Sequence, residues 1–319
     1  TQENGSHILN FEYVNHQIIQ GKPQLDHLPA TYVEKEDEAQ TLIITLYDDV
    51  IDTKLQLSYT IYHDLPVITR NSFIINCGQQ SLRLNQMMSM SLDLPDQDYE
   101  MIELCGSWSR ERSIKTRKLV EGIQSIYSLR GCSSHQFNPF IALKRKNCNE
   151  CAGEVLGFSF VYSGNFLAQV EVDNYHISRV LMGIHPHGFE YVLNHLDSFQ
   201  TPEVVMVYCN QGLNKMSQTY HKLYQTRLVR GKYRDQVRPI LVNNWEGTYF
   251  DFNEDKIIKM AQTAKDLGIE LFVLDDGWFG HRNDDTQGLG DWFVNIDKLP
   301  HGISCLLYTS PSPRDGATS

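Results

Sequence analysis

The sequence lacks the features that identify membrane, disordered and nucleic-acid-binding proteins. No apolar run approaches the roughly 20 residues that a membrane-spanning helix needs, and no low-complexity tract interrupts the 319 residues. Positive charge is also in deficit, because 28 Lys and Arg residues stand against 39 Asp and Glu residues, a formal net charge of −11. Since this charge repels a phosphate backbone, we expect no nucleic-acid partner, and we expect no membrane association.

Cysteine is present in a pattern that does not fit a disulfide framework. Its seven residues are an odd number at irregular spacing, which is typical of reduced thiols and favours a cytoplasmic protein. One Cys-x-x-Cys motif, Cys148 to Cys151, has no second cysteine or histidine pair at zinc-like spacing. We therefore prefer a polar loop to a metal site at this motif and expect no metal ligands.

What the sequence does contain, over residues 41–210, is period-two alternation of apolar and polar side chains. Leu55 to Ile61 and Met88 to Leu94 show it most clearly, and it predicts half-buried antiparallel strands. Ser163 to Asn165 separates two such strands and predicts a hairpin. Many strands without intervening helices favour a large β-sandwich.

The pattern changes near Gly212. Met216, Tyr220, Leu223 and Tyr224 lie at helical spacing and predict an amphipathic helix with an apolar packing face. A basic stretch follows, with Arg227, Arg230, Lys232, Arg234 and Arg238. We interpret it as a solvated linker between domains.

After Pro239 the sequence alternates between strand and helix. A short apolar strand, ILVNN, precedes Asn253, which can cap a helix that ends near Gly268. The run ELFVL then predicts a second strand, apolar enough for a parallel sheet covered on both faces. These elements predict a β/α repeat.

Polar and aromatic residues follow both of these strands. Asn243, Asn244 and Trp245 end the first strand, and Asp275 and Asp276 end the second. In β/α barrels the active site lies at the carboxyl ends of the strands, and carboxylates beside an indole ring suit a sugar. On residue types alone, an Asp pair that caps a helix and tryptophans that fill a core remain an equal alternative.

Several motifs closely resemble the bacterial α-galactosidases of glycoside hydrolase family 36. They are NNWEGTYFDF and LFVLDDGWFG near the end of the chain and DLPVITR and QSIYSLRGCSSHQFNPF upstream. The resemblance implies a multi-domain fold, in which an antiparallel β-supersandwich precedes the first two β/α units of an incomplete (β/α)8 TIM barrel. It also implies retaining hydrolysis of terminal α-1,6-linked galactose from melibiose, raffinose or stachyose, without metal or organic cofactor.

The same resemblance implies which residues bind substrate. Asp275 and Asp276 match adjacent aspartates that bind the galactose 4- and 6-hydroxyls, and Trp245 matches a tryptophan that lines this subsite. The family's nucleophile and acid/base lie on its fourth and sixth barrel strands, so we expect no catalytic residue in this chain and no activity from it alone. Structural roles are expected for the remaining candidates, Trp278, Trp292 and His135.

These patterns and the family resemblance together predict four segments. They are a β-supersandwich over residues 1–211, a linker helix and basic linker over 212–238, the start of the barrel over 239–304, and a sequencing-adapter artefact over 305–319. The expected partner is a galactose-containing oligosaccharide, and family members often form homo-tetramers. Alternatives are a carbohydrate-binding module, a galactosyl transferase of the raffinose-synthase type and an α-N-acetylgalactosaminidase.

Overall fold

The structure is a computed structural model that describes residues 1–2, 4–25 and 27–309, with side chains up to residue 306. Residues 310–319, most of the predicted adapter segment, lie outside the described residues. The chain divides into two compact units, Thr1–Arg230 and Gly231–Ser319, which we call unit 1 and unit 2. The division falls within the predicted linker of residues 212–238.

Unit 1 consists mainly of antiparallel strands. The first eight are β1 (Glu12–Gln20), β2 (Ala39–Asp48), β3 (Thr53–Tyr62), β4 (Val67–Asn76), β5 (Leu82–Leu84), β6 (Met88–Leu94), β7 (Tyr99–Ser107) and β8 (Arg110–Lys118). The next eight are β9 (Gly122–Ser128), β10 (Phe137–Arg145), β11 (Val155–Val161), β12 (Phe166–Val172), β13 (Ser178–Ile184), β14 (Tyr191–Leu193), β15 (Ser198–Gln200) and β16 (Glu203–Cys209). Helix α1 (Gly212–Arg227) follows, and a short 3-10 turn, Glu36–Glu38, precedes β2.

These strands form two facing sheets. The larger has the order β1-β2-β3-β4-β16-β11-β10-β7-β8, with β15 also paired to β4, and the smaller has the order β6-β13-β12-β9. Strands β5 and β14 pair with each other. Apolar side chains from both sheets, among them Phe158, Phe166 and Met182, are completely buried in one cluster. The predicted antiparallel β-sandwich is confirmed.

The predicted hairpin at Ser163 to Asn165 is wrong. The strand before it, β11, pairs with β10 and β16 in the larger sheet, whereas the strand after it, β12, pairs with β13 and β9 in the smaller sheet. The turn therefore carries the chain from one sheet to the other. A turn signal in the sequence specifies a change of direction but not the strand that becomes the neighbour.

The predicted amphipathic helix is confirmed as α1, and it packs on the larger sheet. Met216, Tyr220 and Leu223 are buried, and the Tyr220 hydroxyl donates to the Val205 carbonyl in β16 at 3.1 Å. Gly157 in β11 permits this close packing, because a Cβ there would lie 2.8 Å from the Tyr220 ring. Arg227, at the end of the helix, bonds to Glu38 through Nε at 2.7 Å.

Unit 2 contains one parallel strand pair and three helices among its described residues. Its elements are β17 (Leu241–Asn243), α2 (Trp245–Thr248), α3 (Glu254–Asp266), β18 (Leu271–Val273) and α4 (Gly302–Thr309), after a 3-10 turn at Lys232–Arg234. The predicted cap of α3 is confirmed, since Asn253 Oδ1 accepts from the Lys256 N–H at 3.0 Å. Gly268, with φ of 79°, ends that helix.

The strand pair of unit 2 is less covered than its apolar sequence predicts. Every residue of β18 is half-buried, and Leu241 of β17 is 51% exposed. The buried cluster of this unit consists of Phe252, Ile257, Leu299 and Leu306. Within the described part of the whole chain, no helix combines the length and the apolar character needed to cross a bilayer.

Candidate functional site

The carboxyl ends of β17 and β18 lie side by side because the two strands are parallel and in register, with Asn243 opposite Val273. Asn243 Nδ2 donates to Asp275 Oδ2 at 2.5 Å. Asn244 is fully buried, and its Oδ1 accepts from the Asp275 backbone N–H at 2.8 Å. The two asparagines thus fix both the backbone and the side chain of the first aspartate.

Asp276 is fixed by a buried arginine. Arg282 Nε lies 2.6 Å from Asp276 Oδ1 and 2.7 Å from Oδ2, and Arg282 is only 5% exposed. Its Nη1 donates to the Gln287 carbonyl at 2.6 Å, and its guanidinium lies 5.6 Å from the centre of the Phe250 ring. The ion pair gives the Asp276 side chain a defined orientation as an acceptor of hydrogen bonds.

Trp245 is bonded to Asn243 and packs against Phe250. Its backbone N–H donates to Asn243 Oδ1 at 2.8 Å, and Asn243 in turn binds Asp275. Its ring meets that of Phe250 edge-on, with centroids 4.9 Å apart. Trp245, Asp275 and Asp276 are all half-buried, so solvent and a small ligand can reach them.

The turn after β18 is held in place by the chain around it. Gly277 has φ of 86°, and a Cβ there would lie 2.9 Å from the Phe250 ring. Lys298 Nζ donates to the carbonyls of Phe250 (2.9 Å) and Gly277 (3.1 Å), and burial lowers the pKa of this ammonium. The segment Tyr249 to Phe252 and the turn after β18 are thereby tied together.

The other aromatic candidates lie outside this arrangement. Trp278 packs against the buried cluster of unit 2, with its ring 5.2 Å from Phe279. Trp292 is 68% exposed and contacts Phe279 at 4.6 Å. His135 lies exposed in unit 1. None of these contacts joins the aspartate pair.

The sequence does not indicate which residues hold the two aspartates. In the structure these are Asn243, Asn244 and Arg282. Arg282 follows Asp276 by six residues in a loop rich in glycine and aspartate, and nothing local distinguishes it from a solvated arginine. Gly288 packs closely against it, since a Cβ there would lie 2.9 Å from the Arg282 Cβ. Only the folded loop shows this relation.

The arrangement is suited to binding hydroxyl groups and not to acid/base chemistry on a glycosidic bond. Each carboxylate has about four acceptor sites. The bonds of Asp275 with Asn243 and the Asp276 N–H, and of Asp276 with Arg282 and the Gly277 N–H, therefore leave acceptors for a ligand. Asp275 and Asp276 are adjacent residues after the end of β18, and such neighbours cannot flank a bond at the separation of about 5 to 5.5 Å that retaining glycosidases need. Among the described residues, no group of three His, Cys, Asp or Glu side chains is placed to hold a metal ion.

Two protein families match this chain. Residues 1–194 match the glycosyl hydrolase family 36 N-terminal domain, and residues 198–310 match the melibiase family. The chain is 59% identical over 304 residues to the α-galactosidase AgaA of Geobacillus stearothermophilus, a match that covers 95% of this chain and 42% of AgaA. It is 49% identical over 299 residues to Mel36A of Lactobacillus acidophilus, covering 94% of this chain and 41% of that relative.

Solved structures extend the likeness to the fold. An AgaA variant crystallised in complex with raffinose superposes with a TM-score of 0.94 at 58% identity, covering 97% of this chain and 43% of that one. A further AgaA variant was crystallised with stachyose. The α-galactosidase of Lactobacillus brevis superposes with a TM-score of 0.93 at 45% identity, over 97% of this chain and 42% of that one. The chain thus spans less than half the length of these relatives.

Proposed function

Because the chain belongs to glycosyl hydrolase family 36, we propose that it is part of an α-galactosidase that removes terminal α-1,6-linked galactose from oligosaccharides such as melibiose, raffinose and stachyose. The reaction is a retaining double displacement. One observation carries this proposal in the structure. Asp275 and Asp276 follow β18 at the carboxyl end of the parallel pair, each held as an oriented acceptor, and the Trp245 backbone is bonded to Asn243, which binds Asp275.

Within this proposal unit 2 is the start of a (β/α)8 barrel. A parallel pair joined through α3 is the repeat that such a barrel is built from. With this barrel we propose the segments that the sequence predicts. They are a sandwich over 1–211, a linker over 212–238 and the barrel start over 239–304. The chain spans about 42% of AgaA, and the nucleophile and acid/base belong to the part of the family fold beyond the second β/α unit.

Asp275, Asp276 and Trp245 then form part of the galactose subsite. The two carboxylates accept hydrogen bonds from neighbouring hydroxyls, and the indole covers an apolar face of the sugar ring. We also propose a cytoplasmic location and a homo-tetrameric whole protein, on the cysteine pattern and the family resemblance respectively.

Tryptophan fluorescence tests the subsite. Galactose is titrated into the chain, and Trp245 reports binding beside the two carboxylates. We expect Asp275→Asn to weaken binding about 10- to 100-fold, because a hydrogen bond to a charged group is worth about 1.5–3 kcal/mol. Asp284→Asn is the matched control, since Asp284 is exposed and bonds only locally to Thr286. Equal binding by the two variants, or no fluorescence change with the unaltered chain, contradicts the subsite.

Activity is tested on a whole protein that contains residues 1–303 together with the rest of the family fold. It should release galactose from raffinose, with the α-anomer as the first product detected by NMR. Asp275→Asn should lower kcat/KM for raffinose about 10- to 100-fold. A β-anomer as first product contradicts the retaining mechanism, and no release of galactose contradicts the activity.

A further inference from the structure

A groove lies in unit 1, on the face of the larger sheet formed by alternate residues of β2, β3 and β4. Its floor includes Gln56, Ser58, Asn71 and Phe73, and the segment from Lys22 to Leu25 covers it. In the register of the sheet, Ser58 is opposite Asn71 and Gln56 is opposite Phe73. Its volume of about 230 Å³ is below the roughly 300–1,000 Å³ of sites for drug-sized ligands, so the occupant is small.

The amide groups at one end of the groove have a fixed orientation. Gln200 Nε2 donates to the carbonyls of Ser72 and Thr201, both at 3.0 Å, and to Asn71 Oδ1 at 3.1 Å. Because all three partners are acceptors, the nitrogen of Gln200 is identified by its bonds. Gln200 Oε1 is then left as an acceptor and Asn71 Nδ2 as a donor.

Asn71 supplies a hydrogen-bond donor to the groove. The residue is only 6% exposed, it lines the groove, and its Nδ2 has no hydrogen-bond partner in the described part of the chain. This nitrogen keeps contact with solvent, so it can donate to a ligand. A ligand hydroxyl, which both donates and accepts, would satisfy Asn71 Nδ2 and Gln200 Oε1 together.

The charge of the groove selects a neutral ligand. Among its described lining residues Lys22 alone is charged, and its Nζ is paired with Glu203 at 2.5 Å, with both side chains at most 1% exposed. Glu203 also accepts from the Thr31 N–H and hydroxyl at 2.9 and 2.7 Å. These bonds anchor the covering segment and leave no free charge to attract an anion.

The uncharged side chains that line the groove include hydrogen-bonding groups and an aromatic ring. Gln56 and Ser58 are half-buried, and their side chains have no hydrogen-bond partner among residues 1–2, 4–25 and 27–309. Phe73 lies between Gln56 on β3 and Gln200 on β15. Amides and a hydroxyl around one aromatic ring are complementary to a sugar, which has hydroxyls on its edge and an apolar C–H face.

We propose that this groove is a second carbohydrate-binding site, which takes one neutral pyranose ring. It lies wholly within unit 1, and its residues are separate from Asp275, Asp276 and Trp245. The inference is therefore independent of the proposed galactosidase activity.

Calorimetric titration of the 319-residue chain with galactose and glucose tests the site. The titration uses an Asp275→Asn, Asp276→Asn background, which suppresses the subsite of unit 2. Gln56→Leu should weaken binding about tenfold, because it removes a hydrogen bond at nearly constant volume. Gln40→Leu is the matched control, since Gln40 is exposed on β2 and points to the opposite face. Equal affinities of the Gln56→Leu and Gln40→Leu variants overturn the proposal.

Two further measurements decide the location and the ligand class. The side-chain NH2 signals of Asn71 should shift in the NMR spectrum on addition of either sugar, a readout that does not depend on whether an Asn71→Leu variant folds. Galacturonate should bind no more tightly than galactose, because Lys22 is already paired. Unmoved Asn71 signals, or galacturonate binding more than tenfold tighter than galactose, contradict a neutral sugar site.

Discussion

At the scale of single residues, Arg282 determines how the candidate subsite presents its second carboxylate. It is almost fully buried, and its Nε approaches both oxygens of Asp276. The same guanidinium holds the loop through the Gln287 carbonyl. Lysine cannot reproduce this geometry, because its single ammonium lacks the planar fork of donors.

We therefore predict that Arg282→Lys weakens galactose binding by about tenfold while keeping the charge. The measurement is fluorescence titration of the chain. Comparison with 6-deoxygalactose and 4-deoxygalactose separates positioning from a general structural effect. The loss of affinity caused by Arg282→Lys should be smaller for the deoxy sugar that lacks the hydroxyl bound by Asp276. An equal loss for galactose and both deoxy sugars would mean that Arg282 serves only the fold of the loop.

Gly277 is a second residue whose identity the site requires. Its φ of 86° disfavours any side chain, and a Cβ would also lie 2.9 Å from the Phe250 ring. We predict that Gly277→Ala destabilises unit 2 by more than the roughly 1–2 kcal/mol that a left-handed backbone alone costs. Gly290→Ala is the control, because Gly290 has φ of 99° with nothing within 4 Å of a Cβ. Urea unfolding measures the free energy of unfolding of both variants. Equal losses of stability would show that the contact with Phe250 is unimportant.

At the scale of elements, local signals in the sequence identified helices well and strand partners poorly. Asn253 and Gly268 correctly mark the ends of α3, and the apolar spacing of Met216, Tyr220 and Leu223 correctly identifies α1. These signals act within one or two turns of the helix. The turn signal at Ser163 to Asn165 does not specify the pairing, because β12 joins β13 and β9 in the smaller sheet and not the preceding strand β11.

The end of β3 shows the same limit. Ile61 is 54% exposed, while Thr60 and Tyr62 on the other face are buried. Tyr62 is covered by the segment that contains Thr31, to which its hydroxyl donates at 3.0 Å. Alternation in the sequence identifies two faces of a strand, but the cover supplied by a distant segment decides which face is buried.

The first turn of α3 should be sensitive to acid. Glu254 accepts from the His301 N–H at 3.1 Å and from His301 Nδ1 at 2.9 Å, and these bonds lower the pKa of Glu254 below its ordinary value of 4.5. A carboxyl with a lowered pKa in the folded state stabilises it fully above the ordinary pKa and loses that contribution as pH falls through the folded value.

We predict that Glu254→Gln lowers the stability of unit 2 at pH 7 and that the difference from the unaltered chain disappears well below pH 4.5. Thermal unfolding of both chains at several pH values measures this difference in stability. Asp255→Asn is the control in the same turn, because Asp255 is exposed and shares the same helix end. A difference that is constant from pH 7 to pH 3, or the same pH profile for both variants, contradicts the role of the His301 bonds.

At the scale of the whole molecule, the fold was predictable in outline and the site only in part. The alternation over residues 41–210 predicts the sandwich without knowledge of strand order. The family resemblance predicts roles for Asp275, Asp276 and Trp245, whereas residue types alone leave a structural role equally open. Asn71, Gln200 and Arg282 gave no signal, because what distinguishes them is a buried hydrogen-bonding geometry that spacing along the chain does not encode.

The two units should differ in their resistance to opening. Unit 1 has a cluster of completely buried side chains from both of its sheets, including Phe158, Phe166 and Met182. In unit 2, within the part that the structure describes, β17 and β18 pair only with each other, and both strands are partly exposed. Exposed hydrogen bonds and few buried apolar contacts characterise segments that open at low free-energy cost.

We predict that native-state hydrogen exchange of the 319-residue chain is at least about tenfold slower in β11, β12 and β16 than in β17 and β18. The edges of a two-stranded parallel pair are open to solvent, so their amides exchange through small local openings, whereas β11 and β16 pair on both sides within the larger sheet. The exposed edge strand β1 is the internal control, since it belongs to unit 1 but is solvent-exposed along almost its whole length. Rapid exchange in β1 together with slow exchange in β17 and β18 would show that unit 2 is as stable as the sandwich, and that its two-stranded sheet is not its weak point.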